Sequence, residues 1–200
     1  MPTPVEFYFD FSSPYGYLAS TRIGALAAKY GRTVSWRPFL LGAVFKVTGS
    51  GPLPSQPLKG TYSLRDMPRS ARFYGIPFHM PSVFPIATQA PARIVYWLEG
   101  QAPEKVEPAV LALFRAYFVD DRNISEPEAA ASAVAALGID RDQALAAVND
   151  QAMKDRLRQE TQGAIERGVF GSPYVFVDGE PFWGTDRFDQ IERWLASGGF

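Results

Sequence analysis

Ser13-Pro14 is the point in the chain where residue type and spacing first meet usable chemistry. Residues 5–11, Val-Glu-Phe-Tyr-Phe-Asp-Phe, run as an apolar aromatic segment into Ser12-Ser13-Pro14, and a helical pattern starts at once. Ser13 suits the N-cap position, where a hydroxyl accepts a bond from an orphan backbone N–H. Pro14 suits the first helical position, where a missing N–H costs nothing. A strand that feeds straight into a helix N-terminus presents free N–H groups at the positive end of a dipole, so this corner favours an anion, a thiolate included. The chain has no cysteine, which rules out a protein thiol nucleophile, disulfides and thiolate metal ligands. His79 is the single histidine, so a histidine-cluster metal site is excluded. It lies in Phe78-His79-Met80-Pro81, and no nucleophile-elbow glycine pattern surrounds Ser13, so a Ser-His-Asp triad does not fit. His79 is expected to be structural or to line a substrate pocket. On its own residues Ser13 reads as a helix cap.

The elements that must position this corner follow from periodicity. Val5, Phe7, Phe9 and Phe11 alternate with Glu6, Tyr8 and Asp10, which predicts a strand over 4–10. A helical stripe of Leu18, Ile23, Leu26, Ala27 and Tyr30 predicts a helix over 14–30, closed by Gly31. A short strand over 33–37 completes a β-α-β unit and favours a parallel pair. Residues 47–60 read as an irregular Pro/Gly loop. Helices are then expected over 62–74, interrupted at Pro68; over 86–98, started by Pro85 and disturbed by Pro91; and over 104–118, 125–137, 140–148 and 153–167. Strands at 174–177 and 180–183 flank the hairpin signal Asp178-Gly179, with Pro181 marking an edge, and a last helix follows Thr185-Asp186. The fold class is therefore α/β: a thioredoxin-like β-α-β / β-β-α domain interrupted by an all-helical insertion. The expected division is 1–46 with 166–200 for the discontinuous thioredoxin-like part, and 47–165 for the insertion.

Composition narrows the function classes. Of the 200 residues, 46% are apolar and fifteen are Phe, which is ample for a packed core. The formal charge of −1 argues against a nucleic-acid partner, since phosphate binding needs a basic excess. No apolar run is long enough to span a membrane. Met1-Pro2-Thr3-Pro4 lacks a basic segment followed by an apolar stretch, so the expected location is cytoplasmic.

Four strings carry a family resemblance: Phe7-Tyr8-Phe9-Asp10-Phe11-Ser12-Ser13-Pro14-Tyr15, Arg37-Pro38-Phe39-Leu40-Leu41-Gly42, Gly168-Val169-Phe170-Gly171-Ser172-Pro173, and Phe182-Trp183-Gly184-Thr185-Asp186-Arg187. In this order, around a helical block of this size, they resemble the 2-hydroxychromene-2-carboxylate isomerase family. That family is related to kappa-class glutathione transferases and to DsbA-like proteins. In thioredoxin-like relatives a redox Cys-x-x-Cys begins where this chain has Ser13-Pro14-Tyr15-Gly16. The resemblance implies bound glutathione as cofactor. By that match Ser13, not Ser12, bonds the glutathione sulfur. Ser172, before a cis Pro173, lends backbone groups to the cysteinyl part. Thr185 and Asp186 hold the γ-glutamyl end, and Lys59 lies near the glycyl carboxylate. Ser50 stands where relatives often carry Asn.

What the resemblance implies is a glutathione-dependent isomerase of 2-hydroxychromene-2-carboxylate or a similar aromatic-ring degradation intermediate, working by reversible thiolate addition. The expected partners are glutathione and a small aromatic carboxylate, with no nucleic acid and no membrane, in a homodimer. Two alternatives stay open: a kappa-like glutathione transferase or peroxidase, and a non-catalytic DsbA-like binding protein. On their own residues Lys46 and Lys59 read as surface charges; near an anionic ligand either would supply compensating charge. Phe39, Phe45, Phe84 and Tyr96 read mostly as core, with a few lining an aromatic pocket.

Overall fold

Alternating Val5, Phe7 and Phe9, all fully buried, build the first strand, β1 (Val5–Phe9), of a computed structural model of the chain. The structure describes residues 3–200; Met1 and Pro2, part of the segment read above for a leader, lie outside the described residues. Helix α1 (Pro14–Lys29) follows directly, with Ser13 as N-cap, Pro14 in its first turn and Gly31 at φ 66° just past its end. β2 (Val34–Pro38) returns parallel to β1, with Phe7 beside Trp36. Near the C-terminus β3 (Tyr174–Val177) pairs antiparallel with β1, and β4 (Glu180–Trp183) with β3. The sheet order is β2-β1-β3-β4, so Pro181 lies on an edge strand, where a missing N–H is tolerated. Asp178 and Gly179 both have positive φ in the tight turn between β3 and β4.

Between the two halves lie α2 (Leu41–Thr48), α3 (Lys59–Tyr74), α4 (Gln89–Gln101), α5 (Val106–Phe118), α6 (Pro127–Ala135), α7 (Arg141–Asn149) and α8 (Gln151–Glu166). A short 3-10 turn, Thr185–Arg187, leads into α9 (Phe188–Ser197). This is the thioredoxin-like fold with a helical insertion. One sheet face meets the helices through aromatic rings: Phe114 of α5 lies 5.5 Å from Phe9 and 4.8 Å from Phe11, and Tyr17 of α1 stacks on Phe118 at 5.4 Å. Burying rings of this size is the largest apolar contribution available to the fold.

Several local expectations change. The far face of β1 is not solvated: Tyr8 and Asp10 are each only 5% exposed, because a second cluster with Phe39, Tyr174 and Phe176 covers that side. Residues 41–48 form α2, which periodicity did not mark and whose last two residues fall in the segment read as a loop. Helix α3 begins at Lys59 and passes through Pro68 without a break. Pro68 removes one helical bond, to the Leu64 carbonyl. Leu64 lies on the exposed side, where water can take that acceptor. Pro85 does not start a helix; the Phe84–Pro85 bond is cis, the chain stays irregular to Thr88, and Pro91 sits harmlessly in the first turn of α4. No helix among the described residues is long and apolar enough to cross a membrane.

Candidate active site

Two loops meet at the C-terminal end of β1. The Ser13 hydroxyl accepts from the Gly16 N–H at 3.0 Å, which caps α1, and donates to the Ser172 carbonyl at 2.8 Å. The Ser172–Pro173 bond is cis. The Ser172 hydroxyl in turn accepts from the Asp10 N–H at 2.9 Å. Ser13 and Ser172 are 7% and 8% exposed, so both are buried but reach the surface of this corner. Gly16 makes the approach possible: a Cβ there would stand 2.7 Å from the Ser172 Oγ and 3.2 Å from the Ser13 Cβ. The arrangement presents the N-terminus of a helix of 16 residues, a hydroxyl and a cis-proline loop to one point, which suits an anion.

Thr185 lies in the turn after β4. Its hydroxyl is buried with no hydrogen-bond partner, although a buried polar group is normally satisfied. The Thr185 carbonyl accepts from Arg22 of α1 at 3.4 Å. The Arg22 guanidinium is held between the rings of Tyr74 and Phe188, at 4.0 and 4.3 Å. Asp186 is exposed, and its carboxylate lies 3.3 Å from Arg187. Lys59 stands on the first turn of α3, exposed, and makes no contact with the Ser13–Ser172 pair through any hydrogen bond among the described residues. Thus Ser13, Ser172 and Pro173 are brought together, Thr185 and Asp186 sit on an adjoining turn, and Lys59 stands apart. Lys46 is in the last turn of α2.

Several side chains around this corner carry roles that periodicity did not single out. Ser12 Oγ accepts from the Ile86 N–H at 3.1 Å, so Ser12 joins the loop before α4 to the corner. Tyr15 donates to Asp66 of α3 at 2.7 Å, and Tyr62 donates to the same carboxylate at 3.1 Å. Burial works against the Asp66 charge, but bonds from Tyr15, Arg69 and Tyr62 prevail and hold its carboxyl below the usual range. Asp10 is buried outright, and burial pushes its carboxyl up. The one signal in the sequence was its position: an acid between Phe9 and Phe11, both core residues. Arg22 gave none, since a single arginine on a helix reads as solvated. His79 lies away from this corner; its N–H donates to the Phe118 carbonyl at 2.6 Å, and its ring is exposed, 3.9 Å from Asp121.

A cleft of about 300 Å³ opens on the other sheet face, lined among others by Tyr8, Arg37, Glu160 and Arg167. Its arginines are already paired, Arg37 with Glu160 and Arg167 with Glu6, so it offers no free charge to a ligand. The Ser13 corner carries the chemistry. Among the described residues no cluster of acidic, histidine or cysteine side chains is placed to hold a metal.

Residues 4–196 match the DsbA-like thioredoxin domain family. The chain is 31% identical to a 2-hydroxychromene-2-carboxylate isomerase of Sphingobium xenophagum, over 98% of this chain and 99% of that protein. It is 27% identical to glutathione S-transferase kappa 1 of Caenorhabditis elegans, over 94% and 88% of the two chains. A solved 2-hydroxychromene-2-carboxylate isomerase structure superposes with a TM-score of 0.83 at 31% identity, over 97% of this chain and 95% of that one.

Proposed function

We propose, from the premise that the chain belongs to the 2-hydroxychromene-2-carboxylate isomerase family of DsbA-like thioredoxin proteins, that it is a cytoplasmic glutathione-dependent isomerase of 2-hydroxychromene-2-carboxylate or a similar aromatic-ring degradation intermediate. The observation that carries this reading is the Ser13 hydroxyl, fixed at the α1 N-cap and facing the carbonyl before cis Pro173, in a chain without cysteine. A bound thiol must then supply the sulfur.

The residues present fit glutathione. The unpartnered Thr185 hydroxyl offers a donor to a carboxylate, and the exposed Asp186 carboxylate an acceptor to an ammonium, both carried on one peptide end. Ser172 offers main-chain groups to the cysteinyl unit, and Lys59 a cation for the glycyl carboxylate. Bound there, glutathione would supply a thiolate able to add reversibly to a conjugated carbon, so that rotation about the resulting single bond precedes elimination. Ser13 holds the sulfur position and donates to it, which with the α1 dipole favours the charged form. For this the hydroxyl turns its proton away from the Ser172 carbonyl while keeping its acceptor role toward Gly16. Residues 47–165 roof the corner, exclude water and offer apolar surface to a flat aromatic acid, with Lys46 or Lys59 offsetting its charge. The homodimer belongs to the same proposal.

A kappa-like transferase is the second reading, favoured by the kappa relative. One assay separates the two. Turnover of 2-hydroxychromene-2-carboxylate is followed with and without glutathione, beside conjugation of a standard transferase electrophile. Glutathione-dependent isomerisation exceeding conjugation supports the isomerase. Conjugation without isomerisation overturns it in favour of the transferase.

A further inference from the structure

Several helices in this fold begin without a local side-chain cap, and for two of them, α2 and α4, a distant residue takes its place. The N-cap of α2 is Leu40, which has no side-chain acceptor, and the N-cap of α4 is Thr88, whose hydroxyl makes no capping bond within its own helix. Both turn to the same acceptor. Asp10 Oδ2 accepts from the Leu41 N–H at 2.9 Å and from the Thr88 hydroxyl at 3.2 Å. Asp10 Oδ1 accepts from the Ser12 N–H at 2.7 Å. The Asp10 main chain completes the junction: its N–H donates to Ser172 Oγ at 2.9 Å, and its carbonyl accepts from the Ser13 N–H at 2.9 Å. One residue, 5% exposed, thus touches the Ser12-Ser13 corner, the cis-proline loop and the starts of two helices of the insertion.

We propose that Asp10 is a positioning residue of the site: its buried carboxylate caps α2 through the Leu41 N–H and tethers the start of α4 through the Thr88 hydroxyl, and it holds both against the Ser12-Ser13 corner, setting where the second substrate lies over the sulfur. The last clause rests on the function proposed above; the capping itself does not. A carboxylate is needed because all the groups facing it here are donors. An amide presents an NH2 toward one of them. The Thr88 hydroxyl can reverse and accept, but the Leu41 and Ser12 N–H groups cannot, so an Asn leaves a buried donor unpaired. The Leu41 N–H at the start of α2 and the Thr88 hydroxyl at the start of α4 place positive partial charge beside the carboxylate and partly offset its burial.

The test combines Asp10→Asn with Thr88→Val and Thr88→Ser. In glutathione-free protein, amide hydrogen exchange is read at Leu41, at Ser12 and at Ala92, whose N–H bonds to the Thr88 carbonyl. In Asp10→Asn either Leu41 or Ser12, whichever N–H faces the amide NH2, should exchange roughly tenfold faster or more. Thr88→Val keeps the packing and loses the hydroxyl, so Ala92 should exchange faster; Thr88→Ser keeps the hydroxyl and should match wild type. The opposite order at Thr88, or Leu41 and Ser12 both unchanged in Asp10→Asn, overturns the capping role. If Asp10→Asn does not fold, the Thr88 pair still decides. In glutathione-loaded protein, kcat/KM for the aromatic acid should fall roughly tenfold in Asp10→Asn and less in Thr88→Val, with glutathione affinity held within about twofold. Equal losses in turnover and in glutathione affinity overturn the positioning over the sulfur. A wild type that binds no glutathione overturns the proposed function, and the exchange order then judges Asp10 alone.

Discussion

The Ser13 hydroxyl spends its single proton on the Ser172 carbonyl, 2.8 Å away, while the Gly16 N–H occupies one of its lone pairs. The helix start and the cis-proline loop are therefore joined through the same atom that is proposed to meet the sulfur.

Replacing Ser13 by Ala should have two separable effects. Loss of the cap should lower stability by about 0.5–2 kcal/mol, read by denaturant unfolding. Loss of the donor should raise the pKa of bound glutathione, read as thiolate ultraviolet absorbance against pH. An unchanged titration would remove Ser13 from the chemistry and leave it a cap. Ser12→Ala should cost stability as well, by about 1 kcal/mol, because it strands the Ile86 N–H, yet leave the thiol titration alone.

Gly16 and Ser172 should show strong coupling. In Gly16→Ala the new methyl displaces the Ser172 hydroxyl, 2.7 Å from where the Cβ must stand, and strands the Asp10 N–H. The alanine gains up to about 1 kcal/mol of helix propensity, but a buried unpaired donor costs about 1–3 kcal/mol, so net destabilisation is expected. In a Ser172→Ala background the closest clash is gone, only the 3.2 Å approach to the Ser13 Cβ remains, and Gly16→Ala should cost clearly less than in wild type. Additive losses in this double-mutant cycle would mean the two residues do not oppose each other.

Thr185→Val tests the γ-glutamyl end. The buried hydroxyl has no partner, so the isosteric methyl should leave the ligand-free protein as stable as wild type or more so. Glutathione affinity should nevertheless fall, measured by calorimetry. Asp186→Asn should also weaken glutathione, but because Asp186 is well exposed the loss should lie near about 1 kcal/mol. Unchanged affinity in both variants would leave Thr185 and Asp186 as a simple helix start.

The Glu6–Arg167 pair gives a pH-dependent stability. The hydrogen bond from Arg167 holds the Glu6 carboxyl below its ordinary value of 4.5, so the folded protein binds this proton less readily than the unfolded chain. The pair's contribution is then present above pH 4.5 and is lost as pH falls through the folded-state value. Glu6→Gln should lower Tm at pH 7 and match wild type in acid. A Tm difference that persists undiminished in acid would assign the effect to packing.

Where local chemistry decided the structure, the sequence was readable. Ser13-Pro14 marked the α1 start, Asp178-Gly179 the hairpin, and Pro181 the sheet edge, because each residue acts through its own backbone or nearest neighbours. The family strings led to Ser172, Pro173, Thr185 and Asp186. What stayed hidden depends on residues far apart in the chain. Helix α2, of sequence LGAVFKVT, has β-branched residues and no local cap; its cap is Asp10, thirty-one positions away. Thr88, the first residue of the α4 start, is tied through its hydroxyl to the same residue seventy-eight positions away, so α4 begins later than Pro85, the proline that is cis, suggests. Arg22 acquires meaning only once Tyr74 and Phe188 close over it.

Ser13 stands where thioredoxin-like relatives begin a cysteine pair, and that replacement bears on how the protein ages. An oxidant that reaches this corner finds no sulfur belonging to the chain there, and Met67, in the neighbouring helix, is only 1% exposed. A protein thiolate carried to a sulfinic or sulfonic acid is spent for good in most settings. With glutathione as the sulfur carrier proposed above, the spent group would depart by dissociation and a fresh one take its place. The reactive atom would then be a consumable, and the lifetime of the fold uncoupled from the lifetime of its nucleophile.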